Sequence, residues 1–160
     1  MLTVTNLIGF GGATETVYIT SYANAGGTGD RSAIITVTGT LTMNQGTLSN
    51  LVDGAFDLSS SGSGTFTNGQ TSGTLIFTFA TPKVIQELTF YSDNTTSQGT
   101  YQWSRDGVNV GSPFSLTSAA VMTAMAADNT PGTAFTLTMT SGNTNANFWA
   151  EELEFKIAAG

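Results

Sequence analysis

The sequence contains no cysteine and no histidine. Without these residues the chain cannot form a disulfide, a thiol nucleophile, a Ser-His-Asp triad or a typical zinc site. Hydrolysis by paired carboxylates and calcium binding through oxygen ligands remain chemically possible. The absent residues therefore exclude most nucleophilic and zinc-dependent enzymes before any motif is considered.

Charged residues are also scarce, at 9% of the chain against the roughly 25% of an average soluble domain. Four Lys and Arg against eleven Asp and Glu give a net charge of -7, which repels phosphate and argues against nucleic acid as a partner. Hydroxyl and amide side chains take the place of the missing charges. Such a surface suits neutral, hydroxyl-rich partners or a second copy of the chain, so we expect a homo-oligomer.

Long apolar runs are missing as well. No stretch approaches the ~20 apolar residues of a membrane span, so we expect no membrane insertion. Residues 1–12 lack the basic and apolar regions of a signal peptide. We therefore expect synthesis in the cytoplasm and a final location on the surface of a virion or another extracellular particle. The apolar fraction of 39% is sufficient for one core, which predicts a single domain over residues 1–160.

Alternating threonine and apolar residues predict a chain that is nearly all β. The pattern is clear in residues 33–42, 75–79 and 135–139. Clusters of Gly, Asn and Ser separate the strands, and residues 58–68 are expected to be one such turn-rich segment. Tyr101 and Trp103 share one parity and are expected in the core. Residues 118–128, rich in Ala and Met, are expected to form one helical turn or an irregular loop. The whole pattern predicts an antiparallel β-sandwich of the jelly-roll type.

Three short motifs occur in a characteristic order. Residues 51–54 read Leu-Val-Asp-Gly, residues 104–107 read Ser-Arg-Asp-Gly at the end of a strand, and residues 152–155 read Glu-Leu-Glu-Phe. Together they resemble the discoidin-like family of galactose-binding-like jelly rolls, which includes coagulation-factor C-type domains and many carbohydrate-binding modules. The resemblance spans roughly residues 50–157. The Thr-x-Trp of the family and the cysteines of many members are absent here.

The resemblance also implies a structural calcium ion. In many such modules the acid of the early Asp-Gly and the glutamate of the last strand bind the metal, which places it on Asp53 and Glu152, with Thr65 as a further oxygen donor. Calcium takes six to eight oxygen ligands and tolerates irregular loops. The alternative is that Asp53 only shapes a turn and that Glu152 is a solvated, outward-facing strand residue.

Three aromatic residues lie beside polar loop segments, which is the arrangement that a sugar site needs. A flat ring stacks on the apolar face of a pyranose, while neighbouring amides and carboxylates bond its hydroxyls. The candidate carbohydrate-binding residues are Tyr22, Asn24, Tyr91, Asp93, Asn94, Asn147 and Trp149.

Most of the acidic residues occur at turns, so we expect no catalytic pair and no enzyme activity. The expected function is that of a carbohydrate-binding structural protein of a phage or phage-like virion. It would belong to a head spike, fibre or tail, and would contact host cell-surface polysaccharide and other virion proteins. Two alternatives remain open: an accessory module of a secreted polysaccharide-processing system, and a purely structural capsid decoration protein.

Overall fold

The computed structural model describes residues 16–18, 30–41, 43–54, 65–67, 71–91, 99–115, 121–124, 128–141, 148–150 and 152–158. These residues form β-strands and one 3-10 helix, Leu48–Val52, with no α-helix in the described part of the chain. The expectation of an all-β protein is confirmed. No helix within these ranges is long and apolar enough to cross a membrane.

The strands of the described segments pair antiparallel in three sheets. One has four strands in the order β1-β13-β6-β10, one has six in the order β2-β5-β11-β7-β8 with β9 also on β7, and one has three in the order β12-β4-β3. Their bounds are β1 Thr16–Tyr18, β2 Ile35–Gly39, β3 Met43–Gln45, β4 Thr65–Thr67, β5 Gly73–Lys83, β6 Ile85–Tyr91, β7 Thr100–Arg105, β8 Val108–Asn109, β9 Phe114–Ser115, β10 Val121–Ala124, β11 Gly132–Ser141, β12 Phe148–Ala150 and β13 Glu152–Ala158.

The core lies between the four-stranded and the six-stranded sheets. Phe77 of β5 meets Phe155 of β13 edge-to-face, with ring centroids 5.1 Å apart, and Phe79 meets the same ring at 5.8 Å. Such contacts join apolar faces of two stacked sheets, as in a β-sandwich. The buried apolar residues of both sheets form one cluster.

Local alternation predicts this core well. Leu75, Phe77 and Phe79 of β5 are all buried, and so are Tyr101 and Trp103 of β7, as expected from their parity. Burial raises the pKa of the Tyr101 hydroxyl far above its usual range because desolvation opposes its ionisation. The aromatic residues of β5 and β7 therefore stabilise the sandwich and are not available to a ligand.

The Asp-Gly turn after β7 forms a tight hairpin to β8. Asp106 and Gly107 both have positive φ, at 46° and 82°, which Asp and Gly tolerate better than most residues. The Asp106 carboxylate accepts hydrogen bonds from the backbone N–H groups of Ala134 and Thr133, at 2.9 and 3.1 Å. The turn is thereby tied to β11, the central strand of its sheet.

Two predictions of irregular structure are wrong. Residues 118–128 contain strand β10, which pairs with β6, and the turn-rich stretch 58–68 contains strand β4, which pairs with β3 and β12. Neither segment shows strong alternation. Both are held as strands by partners distant in sequence, and a local pattern does not report such partners.

Candidate functional site

Strand ends gather at one end of the four-stranded sheet. Tyr91, the last residue of β6, pairs with Glu152, the first residue of β13. Strand β1 runs in the same direction as β6, because Thr16 pairs with Ala158 and Tyr18 with Lys156. We call this the Glu152 end of the sheet. The chain leaves β6 at this end, whereas it leaves β1 opposite Lys156, before the end is reached.

Glu152 is wholly buried at the Glu152 end, with 0% of its surface exposed. Its Oε2 accepts a hydrogen bond of 3.1 Å from the backbone N–H of Gly54. Strand β13 lies between β1 and β6 and buries both its faces, so the alternative of a solvated, outward-facing Glu152 is wrong. The sheet thus brings the early Asp-Gly motif and the last strand into contact.

The Asp53-Gly54 turn ends the 3-10 helix Leu48–Val52. Asp53 is the C-cap of that helix, and Gly54 follows with φ of 75°, a conformation that glycine adopts readily. The side-chain amide of Asn50 donates a 2.7 Å hydrogen bond to Oδ2 of Asp53. Sequence reasoning missed Asn50, although an amide three residues before an acid at the end of a helical turn is a recognisable signal.

The donors near Asp53 and Glu152 fit the oxygen chemistry of calcium. A buried carboxylate is costly in an apolar interior unless a cation or hydrogen bonds compensate it, and Glu152 lies beside the Asp53 turn. The described ranges contain no group of three or more His, Cys, Asp or Glu that could hold a metal. An ion here would therefore need carbonyl and hydroxyl ligands in addition to the two carboxylates.

Tyr91 is largely enclosed, with 9% of its surface exposed. Its hydroxyl donates a hydrogen bond of 3.4 Å to Oε1 of Glu154, which is also buried. Little of the Tyr91 ring is therefore open to a ligand. The ring packs on the same face of the sheet as Glu152 and Glu154.

The other predicted site residues are described in part or not at all. Strand β12 pairs with β4, so that Trp149 lies opposite Phe66 and Ala150 opposite Thr65, but only the backbone of Trp149 and Thr65 is described. Five predicted residues lie outside the described part of the chain: Tyr22, Asn24, Asp93, Asn94 and Asn147.

No protein-family model matches the chain, and no curated protein matches it in sequence. Solved structures do match it in fold. The family 32 carbohydrate-binding module of NanJ from Clostridium perfringens, in complex with galactose, aligns with a TM-score of 0.61 over 78% of this chain and 95% of the module, at 13% identity. The fold is that of the family 32 carbohydrate-binding modules.

Two further modules of this fold were solved with sugars. CpGH89CBM32-5 from Clostridium perfringens, in complex with GalNAc-β-1,3-galactose, aligns with a TM-score of 0.59 at 16% identity. The alignment covers 78% of this chain and 96% of that module. A His 62 mutant of the lectin binding domain of lectinolysin, complexed with Lewis b, aligns with a TM-score of 0.60 at 14% identity. That alignment covers 88% of this chain and 98% of the domain. The predicted galactose-binding-like sandwich is confirmed by these likenesses.

Proposed function

We propose that this protein binds glycans containing galactose or N-acetylgalactosamine, without modifying them, on the surface of a phage or phage-like virion. The observation that carries the glycan-binding part is the likeness in fold to modules solved with galactose, GalNAc-β-1,3-galactose and Lewis b. The low charge and abundant hydroxyl side chains of the chain suit a neutral sugar.

Four of the proposed contact residues follow strands β1 and β6 in the sequence. Strands β1 and β6 both run toward the Glu152 end of the sheet, and the residues that follow them in the sequence include Tyr22 and Asn24 after β1, and Asp93 and Asn94 after β6. We assign the stacking ring to Trp149 of β12, with Asn147 beside it as a hydrogen-bonding amide.

The proposed calcium ion has a structural role. Asp53 and Glu152 would hold it, and it would compensate the buried charge of Glu152 and fix the Asp53-Gly54 turn against β13. Thr65 is the additional proposed donor, since β4 lies beside the 3-10 helix that ends at Asp53.

The fixed positions of the acidic side chains support a non-catalytic role. Glu152 and Glu154 are buried within the sheet, and each accepts a hydrogen bond from a neighbouring group. The Asp106 carboxylate accepts hydrogen bonds in the β7–β8 turn. A glycosidase needs two carboxyl groups that face a common substrate cleft. We therefore propose binding without hydrolysis.

Isothermal titration with galactose, N-acetylgalactosamine and glucose tests the binding. We expect Kd values of about 1 mM for the first two sugars and weaker binding of glucose. Trp149→Ala should weaken binding by at least about tenfold through loss of the stacking ring. Val108→Ala is the matched control, because Val108 is 60% exposed on β8 and should leave binding unchanged. Absence of binding to both galactose sugars would refute the proposal.

The virion part of the proposal has its own test. It rests on composition, because a cysteine-free, low-charge β domain rich in threonine suits a particle surface. Mass spectrometry of purified particles from the source should detect the protein together with capsid or tail proteins. Recovery only outside the particles, beside a glycoside hydrolase, would favour the accessory-module alternative.

A further inference from the structure

Strand β2 forms one edge of the six-stranded sheet. It pairs with β5 along its whole length, from Ile35 with Phe79 to Gly39 with Leu75. No strand in the described part of the chain pairs with its other side. Thr36 and Thr38 are exposed along this edge. The N–H of Ile35 already donates a hydrogen bond to the carbonyl of Arg31, so the backbone N–H and C=O groups that another strand can bind centre on Val37.

The opposite edge of the same sheet is interrupted. There β8 and β9 contribute two residues each, and Gly111, with φ of 65°, and Pro113 lie between them. Short strands and proline are common protections against edge-to-edge pairing, as are charged side chains. Strand β2 has none of these, and no charged residue occurs between Arg31 and Asp53. Only the β2 edge is thus open to pairing among the described edges of this sheet.

We propose that β2 pairs antiparallel with β2 of a second copy, about a two-fold axis at Val37. This register sets Val37 opposite Val37 and Thr36 opposite Thr38 of the second copy. Cross-strand threonine pairs are favourable, and an isologous contact of this kind closes after two copies. The net charge of -7 repels copies in general, but the uncharged stretch 32–52 lets them approach at this edge.

The contact is small, so the dimer is weak. A five-residue strand pair buries less area than a standard interface of about 1,600 Å². Apolar surface next to the strand adds to it: Ile34 is 53% exposed and lines a cavity of about 220 Å³ with Phe79 and Lys83. We expect a Kd on the order of 100 μM.

A two-fold axis between antiparallel strands stands perpendicular to the sheet and reverses every direction within it. The Glu152 ends of the two copies would therefore point in opposite directions. This consequence rests on the proposed function: a dimer with glycan sites at those ends would bridge two glycan-bearing surfaces. The self-association itself does not depend on glycan binding, so the two proposals fail separately.

A charge exchange at the edge tests the pairing by sedimentation equilibrium up to about 1 mM protein. The double variants Thr36→Lys with Thr38→Lys, and Thr36→Glu with Thr38→Glu, should each be monomeric, because like charges then face each other. An equimolar mixture of the two should restore the dimer. Val108→Lys is the control: Val108 is 60% exposed on β8, at the opposite edge of the sheet, and should leave the dimer intact.

A second measurement needs no variant. Amide hydrogen exchange in β2 should slow as the wild-type concentration rises, while exchange in β8 stays constant. A wild-type protein that is monomeric at about 1 mM refutes the proposal. So do charge variants that associate as the wild type does, or β2 amides that exchange at the same rate at every concentration.

Discussion

The backbone N–H of Gly54 donates a hydrogen bond to Oε2 of Glu152 at 3.1 Å, joining residues 98 positions apart in the chain. Through this bond the turn that ends the 3-10 helix is held against the first residue of the last strand. The carboxylate is buried, so its charge must be compensated locally. The calcium proposal can therefore be tested at Glu152 with little change in shape.

Glu152→Gln keeps an acceptor for the Gly54 N–H and removes the charge that a calcium ion requires. Calcium at about 100 times its Kd should stabilise the wild type by about 2.7 kcal/mol. That corresponds to a rise in Tm of roughly 5–10 °C for a chain of this length, and the variant should show none. Thermal denaturation of each protein in calcium and in EDTA measures this shift in Tm. Glu87→Gln is the control. Glu87 is half-exposed and pairs with Lys156, so this variant should respond to calcium as the wild type does. Equal wild-type Tm values in calcium and EDTA would exclude the ion.

Trp103→Phe should change stability little despite a fully buried site. The indole Nε1 of Trp103 has no hydrogen-bond partner within the described residues, and an unsatisfied buried donor costs about 1–3 kcal/mol. Phenylalanine removes that donor, which offsets the small cavity it leaves, so we expect a net change within about 1 kcal/mol. Trp103→Ala should cost about 4 kcal/mol. Urea denaturation compares the three proteins. If Trp103→Phe lost nearly as much stability as Trp103→Ala, the indole N–H would be making a favourable hydrogen bond.

Asp106→Asn should make stability less sensitive to acid. Hydrogen bonds from the backbone N–H of Ala134, and then of Thr133, hold the pKa of the Asp106 carboxyl below its ordinary value of 3.8. A depressed pKa contributes stability that is present above 3.8 and is lost as the pH falls through the folded-state pKa. Asparagine tolerates the positive φ at this position but does not titrate. Urea midpoints from pH 5 to pH 2 should therefore fall less steeply for the variant, and parallel curves would contradict the assignment.

Gly39→Ala should destabilise the protein strongly. A Cβ at Gly39 would lie 2.0 Å from the backbone oxygen of Thr74, which accepts the N–H of Thr40 and cannot easily move. We expect a loss of about 3 kcal/mol. Gly107→Ala is the matched comparison, because nothing lies within 4 Å of its Cβ position and only the strain of a φ of 82° remains. That strain costs about 1 kcal/mol. Similar losses for the two variants would show that the contact with Thr74 relaxes.

Strands with strong alternation could be predicted from the sequence, because the alternation of apolar and polar residues itself shows which side chains are buried. Leu75, Phe77 and Phe79 illustrate this, since their spacing alone places them on one face of a half-buried strand. Strand β10 could not be predicted, because its existence depends on pairing with Tyr91 and its neighbours in β6. Its composition favours no single state.

The candidate site was predictable only in part. The resemblance to a family links the Asp53-Gly54 turn with Glu152 as calcium ligands, and the structure shows a hydrogen bond between Gly54 and Glu152. The burial of Glu152 was not predictable, since alternation with Leu153 suggests an outward side chain. Because β13 is a central strand covered on both faces, the side chains on either face are buried. The candidate carbohydrate-binding residues next to the loops remain predictions from the sequence.

The four-stranded sheet joins the first described strand to the last, through pairing of Thr16 with Ala158. Strand β13 also separates β1 from β6, so this sheet cannot assemble until residues 152–158 have been synthesised. Contacts between such distant parts of a chain are slow to form, typically over milliseconds to seconds. During translation the edge of β6 that binds β13 therefore stays unpaired until β13 has been made. A ribosome-bound or truncated chain that ends before Glu152 should be prone to aggregation.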